Sequence, residues 1–240
     1  MDRLGKRILV IPDTQVKPGV NTQHLQDISK YIEHKRPDVV VHIGDHWDMP
    51  SLSSYDKGRK DFEGRRYTKD IAAGNEAMDV LLSEFDYEPE MHFFIGNHEQ
   101  RIERATQASA ELDGVIGYKD LNLASWNVHS FLEIHKIAGI SFTHYFTSGL
   151  YGRPVASAAV MLREVQGSAI MGHTQKVDIA IHPKTGAIAM MVGVCYTHNE
   201  DYLGPQGNGC RRQVVMLNEC RNGRFDPMFV SLDYLKRTYR

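Results

Sequence analysis

The 240-residue chain has no hydrophobic run near the roughly 18 residues that a membrane-spanning helix needs. Its first apolar stretch is short and interrupted by charges, so we expect no secretory signal. Only three cysteines occur, without CxxC spacing, which favours a reducing cytoplasm over a disulfide framework. The formal net charge of −2 gives no sign of the broad basic surface that is typical of nucleic-acid-binding proteins. These absences argue against a membrane protein and favour a cytoplasmic globular protein.

Internal repeats, low-complexity linkers, P-loops and dinucleotide-binding fingerprints are also missing from the sequence. Short apolar runs alternate with segments of helical periodicity instead, which predicts a single α/β layered domain over residues 1–240. In the first half, strands are predicted at residues 7–11, 39–43 and 91–95, and helices at 22–36 and 68–86. In the second half, we expect hairpins with turns at 138–139 and 183–186, a helix at 155–166, and strands at 168–171, 214–217 and 228–232.

Five polar motifs each follow an apolar strand, at the strand ends where ligands bind in open α/β sheets. A single motif of this kind is commonly a helix cap or a structural histidine. Helix capping does not readily explain five such motifs, each preceded by an apolar strand. Together they indicate a metal site. In chain order the motifs are Asp13-Thr14-Gln15, Gly44-Asp45-His46-Trp47-Asp48, Gly96-Asn97-His98-Glu99, His144, and Gly172-His173-Thr174-Gln175.

The order of these motifs resembles that of the calcineurin-like metallophosphoesterases, which is DxH, GDxxD, GNHE, H and GHxH. The resemblance covers roughly residues 8 to 175. It implies an α/β fold, namely a four-layer sandwich of two mixed β-sheets flanked by helices. It also implies a hydrolase in which a hydroxide bridging two ions, about 3.5–4 Å apart, attacks a phosphoester.

The resemblance also implies a set of ligands for each of the two ions. Asp45 would bridge them, and the ligand positions then divide into two sets. The first ion would take Asp13, Gln15 and Gln175 in addition, and the second ion would take Asn97, His144 and His173.

Gln15 and Gln175 stand where the family has histidines, and both belong to the first ion. With Asp13 and Asp45 they would form an all-oxygen site that suits Mg²⁺, Mn²⁺ or Ca²⁺ better than Zn²⁺. The second site, with nitrogen and oxygen ligands, can hold Mn²⁺, Fe or Zn²⁺, so Mn²⁺ is the ion expected first. The alternative is a weakened or empty first site in which the glutamines only form hydrogen bonds.

Three further residues are candidates for a catalytic role. The resemblance implies that His98 lies nearest the leaving group and acts as a general acid, with Asp48 favouring its protonated form. Arg101, three residues after His98, either reaches a phosphate oxygen or is a solvated residue on a polar helix.

An insertion at about residues 52–69 follows the second motif and is rich in basic and aromatic residues. Basic side chains pair with phosphates, and aromatic rings stack on bases. The insertion is therefore predicted to be a lid that binds a nucleotide or nucleic acid. A solvated loop is the alternative. The predicted function is hydrolysis of a phosphodiester or phosphomonoester. The alternatives are a phosphoprotein phosphatase and a non-catalytic module that binds a phosphate group or a partner through one metal ion.

Overall fold

The computed structural model of the protein describes residues 5–55, 58, 60–200 and 204–240. Within them, the strands are β1 (Lys6–Ile11), β2 (Val39–His42), β3 (Glu90–Phe94), β4 (Asn127–His129), β5 (His135–Ile137), β6 (Ile140–Phe142), β7 (Thr147–Ser148), β8 (Arg153–Pro154), β9 (Ala169–Met171), β10 (Val177–Ile181), β11 (Ile188–Val192), β12 (Gln213–Arg221) and β13 (Arg224–Ser231). The α-helices are α1 (Gln23–Lys35), α2 (Tyr67–Leu81), α3 (Arg101–Ala108), α4 (Ala158–Val165), α5 (Gly204–Gly207) and α6 (Leu232–Tyr239). None of the helices in the described residues is both long and apolar enough to cross a membrane.

Two mixed sheets dominate the structure. The first has the strand order β13-β12-β1-β2-β3-β4, in which β1 to β4 run parallel and β12 is antiparallel to β1. The second has the order β10-β11-β9-β6-β5 and also combines parallel and antiparallel pairs. The carboxyl ends of β1, β2 and β3 therefore lie along one edge of the first sheet.

The side chains of β1 show how the layers are stacked. Successive residues of a strand point to opposite faces of a sheet. Ile8 and Val10 accordingly pack between the two sheets, against Phe142 of β6. Leu9 and Ile11 face the other way and join the core formed with α1, α2 and α6. Because α4 packs on the outer face of the second sheet, the order is helices, sheet, sheet and helix, and the predicted fold class is confirmed.

The predicted strands of the first half lie within one residue of their expected bounds, whereas several other elements differ more. The helix predicted over 155–166 begins only at Ala158, and the strands predicted at 214–217 and 228–232 are the longer β12 and β13. The helix predicted over 68–86 ends at Leu81. The hairpin predicted with its turn at 138–139 is formed by β5 and β6 alone, with φ angles of 51° at Ala138 and 84° at Gly139 in the turn. The residues before it form β4, which pairs in parallel with β3 in the first sheet. A three-residue strand is too short for its partner to be read from local periodicity.

The insertion at 52–69 lies partly outside the described residues, which exclude 56, 57 and 59. Two 3₁₀ turns, Pro50–Leu52 and Lys60–Phe62, precede α2. The Arg65 guanidinium donates a hydrogen bond to the Pro50 carbonyl and lies over the Phe62 ring. Part of the predicted lid is therefore anchored next to α2, while its role in binding stays a prediction.

Candidate metal centre

The five predicted motifs converge at one edge of the sandwich. Asp13, Asp45 and Asn97 follow the parallel strands β1, β2 and β3. His144 and His173 follow the parallel strands β6 and β9 of the second sheet. Because parallel strands end at the same side of a sheet, the two sheets together bring all five side chains to one place.

The residues predicted for the second ion form a tight group. Asn97 Oδ1 lies 3.0 Å from His144 Nε2 and 2.7 Å from His173 Nδ1. His144 Nε2 lies 3.4 Å from Asp45 Oδ2. Ligand atoms of Asp45, His144 and His173 all fall within 4.8 Å of one another. This spacing lets one ion contact all four side chains.

The His144 ring is oriented in a way that calls for a cation. Its Nδ1 lies 2.8 Å from the Ile43 carbonyl oxygen, which can only accept a hydrogen bond, so Nδ1 carries a proton. The Nε2 of a neutral ring then turns a lone pair toward the oxygens of Asn97 and Asp45. Although burial lowers the pKa of His144, the charge of Asp45 raises it to about 9, so a positive charge is favoured here. A bound metal ion satisfies the same lone pair and the same oxygens.

Asp13 lies beside this group and belongs to the predicted first set. Its two carboxylate oxygens accept the His173 backbone N–H at 3.2 and 3.1 Å. A Cβ atom on Gly172 would come within 2.4 Å of Asp13 Oδ1, so only glycine leaves room for the carboxylate. Burial and then the charge of Asp45 raise the pKa of Asp13 to about 7. Two buried carboxylates that repel each other fit a divalent cation.

The two glutamines of the first set differ in their surroundings. The Gln15 backbone N–H donates to the Asp45 carbonyl at 2.9 Å, and its buried Oε1 has no hydrogen-bond partner among the described residues. An orphaned buried acceptor fits a metal ligand. Gln175 Oε1 instead accepts a hydrogen bond from the Tyr196 hydroxyl at 3.2 Å. The side-chain oxygen of Gln15 is therefore better placed to bind an ion than that of Gln175.

Glu99 organises the loops, a role that the sequence analysis missed. Its Oε2 accepts the backbone N–H groups of Asp45 at 3.0 Å and Gly96 at 2.8 Å. Its Oε1 accepts those of His46 at 2.6 Å and Trp47 at 3.0 Å. One fully buried carboxylate thus joins the second and third motifs. The only signal in the sequence is the acidic residue that ends GNHE.

His98 and Asp48 form a close pair beside the ligand group. His98 Nδ1 lies 2.7 Å from Asp48 Oδ1, and His98 Nε2 lies 3.9 Å from Asp45 Oδ2. Burial opposes a charge on the ring, but Asp45 and then Asp48 raise the pKa of His98 above its ordinary value. Asp48 has a pKa lowered to about 2, because the contact with His98 and the nearby Lys17 outweigh its burial.

Arg101 lies against the same pair and is not a freely solvated residue. Its Nη1 donates to the Asp48 carbonyl at 2.6 Å, and its Nη2 lies 3.2 Å from His98 Nε2. A guanidinium can only donate, so the neutral His98 ring accepts at Nε2 and carries its proton at Nδ1, toward Asp48.

A second cation, Lys17, was not singled out from the sequence. Its Nζ lies 3.4 Å from Asp48 Oδ2 and 2.6 Å from the buried Glu200 carboxylate. Glu200 also receives His198 Nε2 at 2.7 Å. Lys17 and Glu200 are 183 residues apart, so local sequence patterns give no sign of this contact.

The chain is similar to known proteins in sequence and in fold. A model of the calcineurin-like phosphoesterase family matches residues 6–180. The chain is 31% identical over 188 residues to the Gene 54 protein of Mycobacterium phage L5, covering 75% of this chain and 72% of that protein. It is 29% identical, with the same coverage, to the Gene 54 protein of Mycobacterium phage D29. A dimetal phosphatase from Danio rerio is 10% identical, covers 95% of this chain and 97% of its own, and has a TM-score of 0.50, a likeness of fold alone.

Proposed function

Because this chain belongs to the calcineurin-like phosphoesterase family, we propose that it hydrolyses phosphoesters with two divalent ions held by its five motif loops. The observation that carries the proposal is the pair of His98 and Asp48, 2.7 Å apart and adjacent to Asp45. Binding an ion does not require a proton donor next to the ligands, whereas expelling an alkoxide from phosphorus does.

The residues present suit such ions. Asn97, Asp45, His144 and His173 offer nitrogen and oxygen ligands, which Mn²⁺, Fe or Zn²⁺ accept. Asp13, Gln15, Asp45 and Gln175 offer oxygens only, which favours Mn²⁺, Mg²⁺ or Ca²⁺. We propose Mn²⁺ because it suits both sets. When bound, a pair of such ions supplies Lewis acidity toward the phosphate oxygens and lowers the pKa of water.

Three protein side chains would act on the substrate or position the group that does. His98 would protonate the leaving oxygen, with Asp48 holding the ring in place and favouring its charged form. Arg101 Nη2 stands 3.2 Å from His98 Nε2, where a leaving group must approach. Its guanidinium would therefore contact the substrate's phosphate oxygens as the ester takes its place beside His98.

For the substrate we propose a phosphodiester or phosphomonoester of a nucleotide or nucleic acid. The support is the basic aromatic insertion at 52–69, which is joined directly to the loop that carries Asp48. Among its described residues, Tyr55 is 81% exposed, and Lys60 and Arg66 are exposed. An exposed ring and nearby cations can stack on a base and pair with its phosphates.

The first test is turnover of bis(p-nitrophenyl) phosphate and p-nitrophenyl phosphate with Mn²⁺, Mg²⁺, Ca²⁺, Ni²⁺ or Zn²⁺ supplied in turn. Asp45→Asn should abolish turnover and remove most bound metal, since Asp45 serves both ligand sets. Asp113→Asn changes an exposed carboxylate and is the matched control. Turnover by Asp45→Asn at the wild-type rate would reject the proposed function.

The second test addresses the substrate. Lys60→Ala combined with Arg66→Ala should slow hydrolysis of an oligonucleotide while leaving p-nitrophenyl phosphate hydrolysis unchanged. Lys184→Ala removes an exposed charge from the turn between β10 and β11 and is the control. A wild-type rate on the oligonucleotide, with faster turnover of a phosphopeptide, would favour a phosphoprotein phosphatase instead.

One observation favours a second candidate, a non-catalytic module that binds a phosphate group through one ion. Gln175, predicted for the first ion, already accepts a hydrogen bond from the Tyr196 hydroxyl through its Oε1. A chain that binds one ion and phosphate, yet hydrolyses none of the esters under any metal, would be this module.

A further inference from the structure

Three histidines outside the motif loops gather where the edges of the two sheets meet. His92 lies on β3 and His129 on β4, the edge strand of the first sheet. His135 lies on β5, the edge strand of the second sheet. One ring nitrogen from each lies within 4.8 Å of those of the other two. His92 and His129 are buried and His135 is partly buried.

The first two rings face each other through nitrogen atoms. His92 Nδ1 lies 2.9 Å from His129 Nε2, and the rings are tilted by only 14°. The remaining nitrogen of each ring faces a carboxylate: His92 Nε2 is 3.0 Å from Glu90 Oε1, and His129 Nδ1 is 3.1 Å from Glu133 Oε1. Because an ionised carboxylate can only accept, both of these outward nitrogens carry protons.

With the protons placed outward, the two inward nitrogens present lone pairs to each other. Two acceptors 2.9 Å apart repel unless a proton or a metal ion lies between them. A shared proton would place a positive charge on two buried rings, which burial opposes. Histidines that bind metals typically donate the other ring N–H to a carboxylate, as both rings do here.

His135 supplies the third nitrogen. Its ring stacks on that of His129, with 4.2 Å between centroids, and on that of His92, with 5.2 Å. Neither of its nitrogens has a hydrogen-bond partner within the described part of the chain, so a change of side-chain rotamer can turn one toward the pair. Its partial exposure gives an ion a path from solvent.

We propose that His92, His129 and His135 form a separate metal site, in addition to the two ion sites of the motif loops, which takes Zn²⁺ or a similar late first-row divalent ion. Imidazole ligands favour Zn²⁺, Cu²⁺ and Ni²⁺ over Mg²⁺ or Ca²⁺. Tetrahedral zinc with bonds of about 2.0–2.1 Å separates two nitrogens by about 3.3 Å, so the pair has to open by only about 0.4 Å. The ion would link β4 of one sheet edge to β5 of the other.

The test is the number of Zn²⁺ ions retained by the full chain after equilibrium dialysis, measured by elemental mass spectrometry. His135→Ala should retain one ion fewer than the wild type and than the matched control Lys136→Ala, which alters an exposed neighbour on the same strand. Asp45→Asn should keep the ion that depends on His135. Equal zinc content in the wild type and in His135→Ala would overturn the proposal and assign the nitrogen contact to a shared proton.

A second measurement needs no variant, so a folding defect in His135→Ala does not decide the matter. In the wild type, Zn²⁺ should shift the imidazole NMR signals of His92, His129 and His135 together. An exposed reference, His34, should not shift. Unshifted signals at the three histidines would overturn the proposal.

Discussion

The Glu99 carboxylate accepts the backbone N–H of Asp45, with 3.0 Å between Asp45 N and Glu99 Oε2. Asp45 has a φ angle of 52°, in the left-handed region that residues other than glycine rarely adopt. Three more N–H groups from the same two loops reach this carboxylate. A single buried side chain therefore holds the central candidate ligand in a strained conformation that it would not keep alone.

Glu99→Gln should loosen this arrangement. A glutamine has one acceptor oxygen and turns an NH₂ group toward donors, so buried N–H groups lose their partner. We expect the free energy of unfolding to fall by about 3 kcal/mol and Mn²⁺ affinity to fall at least about tenfold. Urea denaturation and metal titration measure the two effects. Glu103→Gln, exposed on α3, is the control, and a Glu99→Gln protein that matched it would remove Glu99 from this role.

His98→Gln should leave metal content unchanged and slow turnover most for esters with poor leaving groups. The reason is that a nitrophenolate departs without a proton, whereas an alkoxide needs one from His98. We expect a loss of about 10²- to 10⁴-fold for an alkyl ester and a much smaller loss for the nitrophenyl ester. Steady-state rates on a series of esters test this. Uniform slowing across the series would exclude the acid role.

The layered fold is predictable from the sequence because its signals are local. Along β1, alternate apolar residues face the helices and the second sheet, so the whole strand is hydrophobic and easily recognised. The turn at Ala138 and Gly139 is equally local. The motif residues follow strands directly, and strand ends locate sites in such sheets, so Asp13, Asp45 and Asn97 could be expected to meet.

Other features depend on contacts between distant residues, and periodicity carries no information about those. Lys17 meets Glu200 across 183 positions, and no local pattern joins them. His92, His129 and His135 each look like ordinary strand residues until β4 and β5 bring the two sheet edges together. The assignment of ligands to two ions, and the catalytic roles of His98, Asp48 and Arg101, stay predictions.

Gln15→His combined with Gln175→His should shift the metal preference of the motif site. The double variant replaces two amide oxygens with imidazole nitrogens, which bind Zn²⁺ and Ni²⁺ better than Mg²⁺ or Ca²⁺. We expect activity with Zn²⁺ to rise at least about tenfold relative to activity with Mg²⁺. The single variants separate the two positions, and Gln15→His should have the larger effect because Gln175 Oε1 is shared with Tyr196. Unchanged ratios of activity would mean that neither amide coordinates an ion.

The buried His24 should make the protein less stable in mild acid. Its Nε2 donates to the Cys195 carbonyl at 2.9 Å, and the residue is only 4% exposed. Burial penalises the imidazolium and lowers the pKa of His24 to about 4, against an ordinary value of about 6.5 in the unfolded chain. Between these two values the unfolded chain binds a proton that the folded chain does not. The free energy of unfolding therefore falls as the pH drops, by about 2 kcal/mol from pH 7 to pH 5 for this group.

His24→Gln should remove that part of the pH dependence, since the amide does not titrate in this range and still offers a donor to the carbonyl. Urea denaturation at pH 7 and pH 5 measures the difference for each protein. The dependence should shrink without vanishing, because burial also lowers the pKa of His46 to about 4. His34→Gln, at an exposed position, should keep the wild-type difference. If His24→Gln kept it too, the acid sensitivity would have to arise from other buried groups, since an imidazole whose pKa is the same in the folded and unfolded chain contributes none.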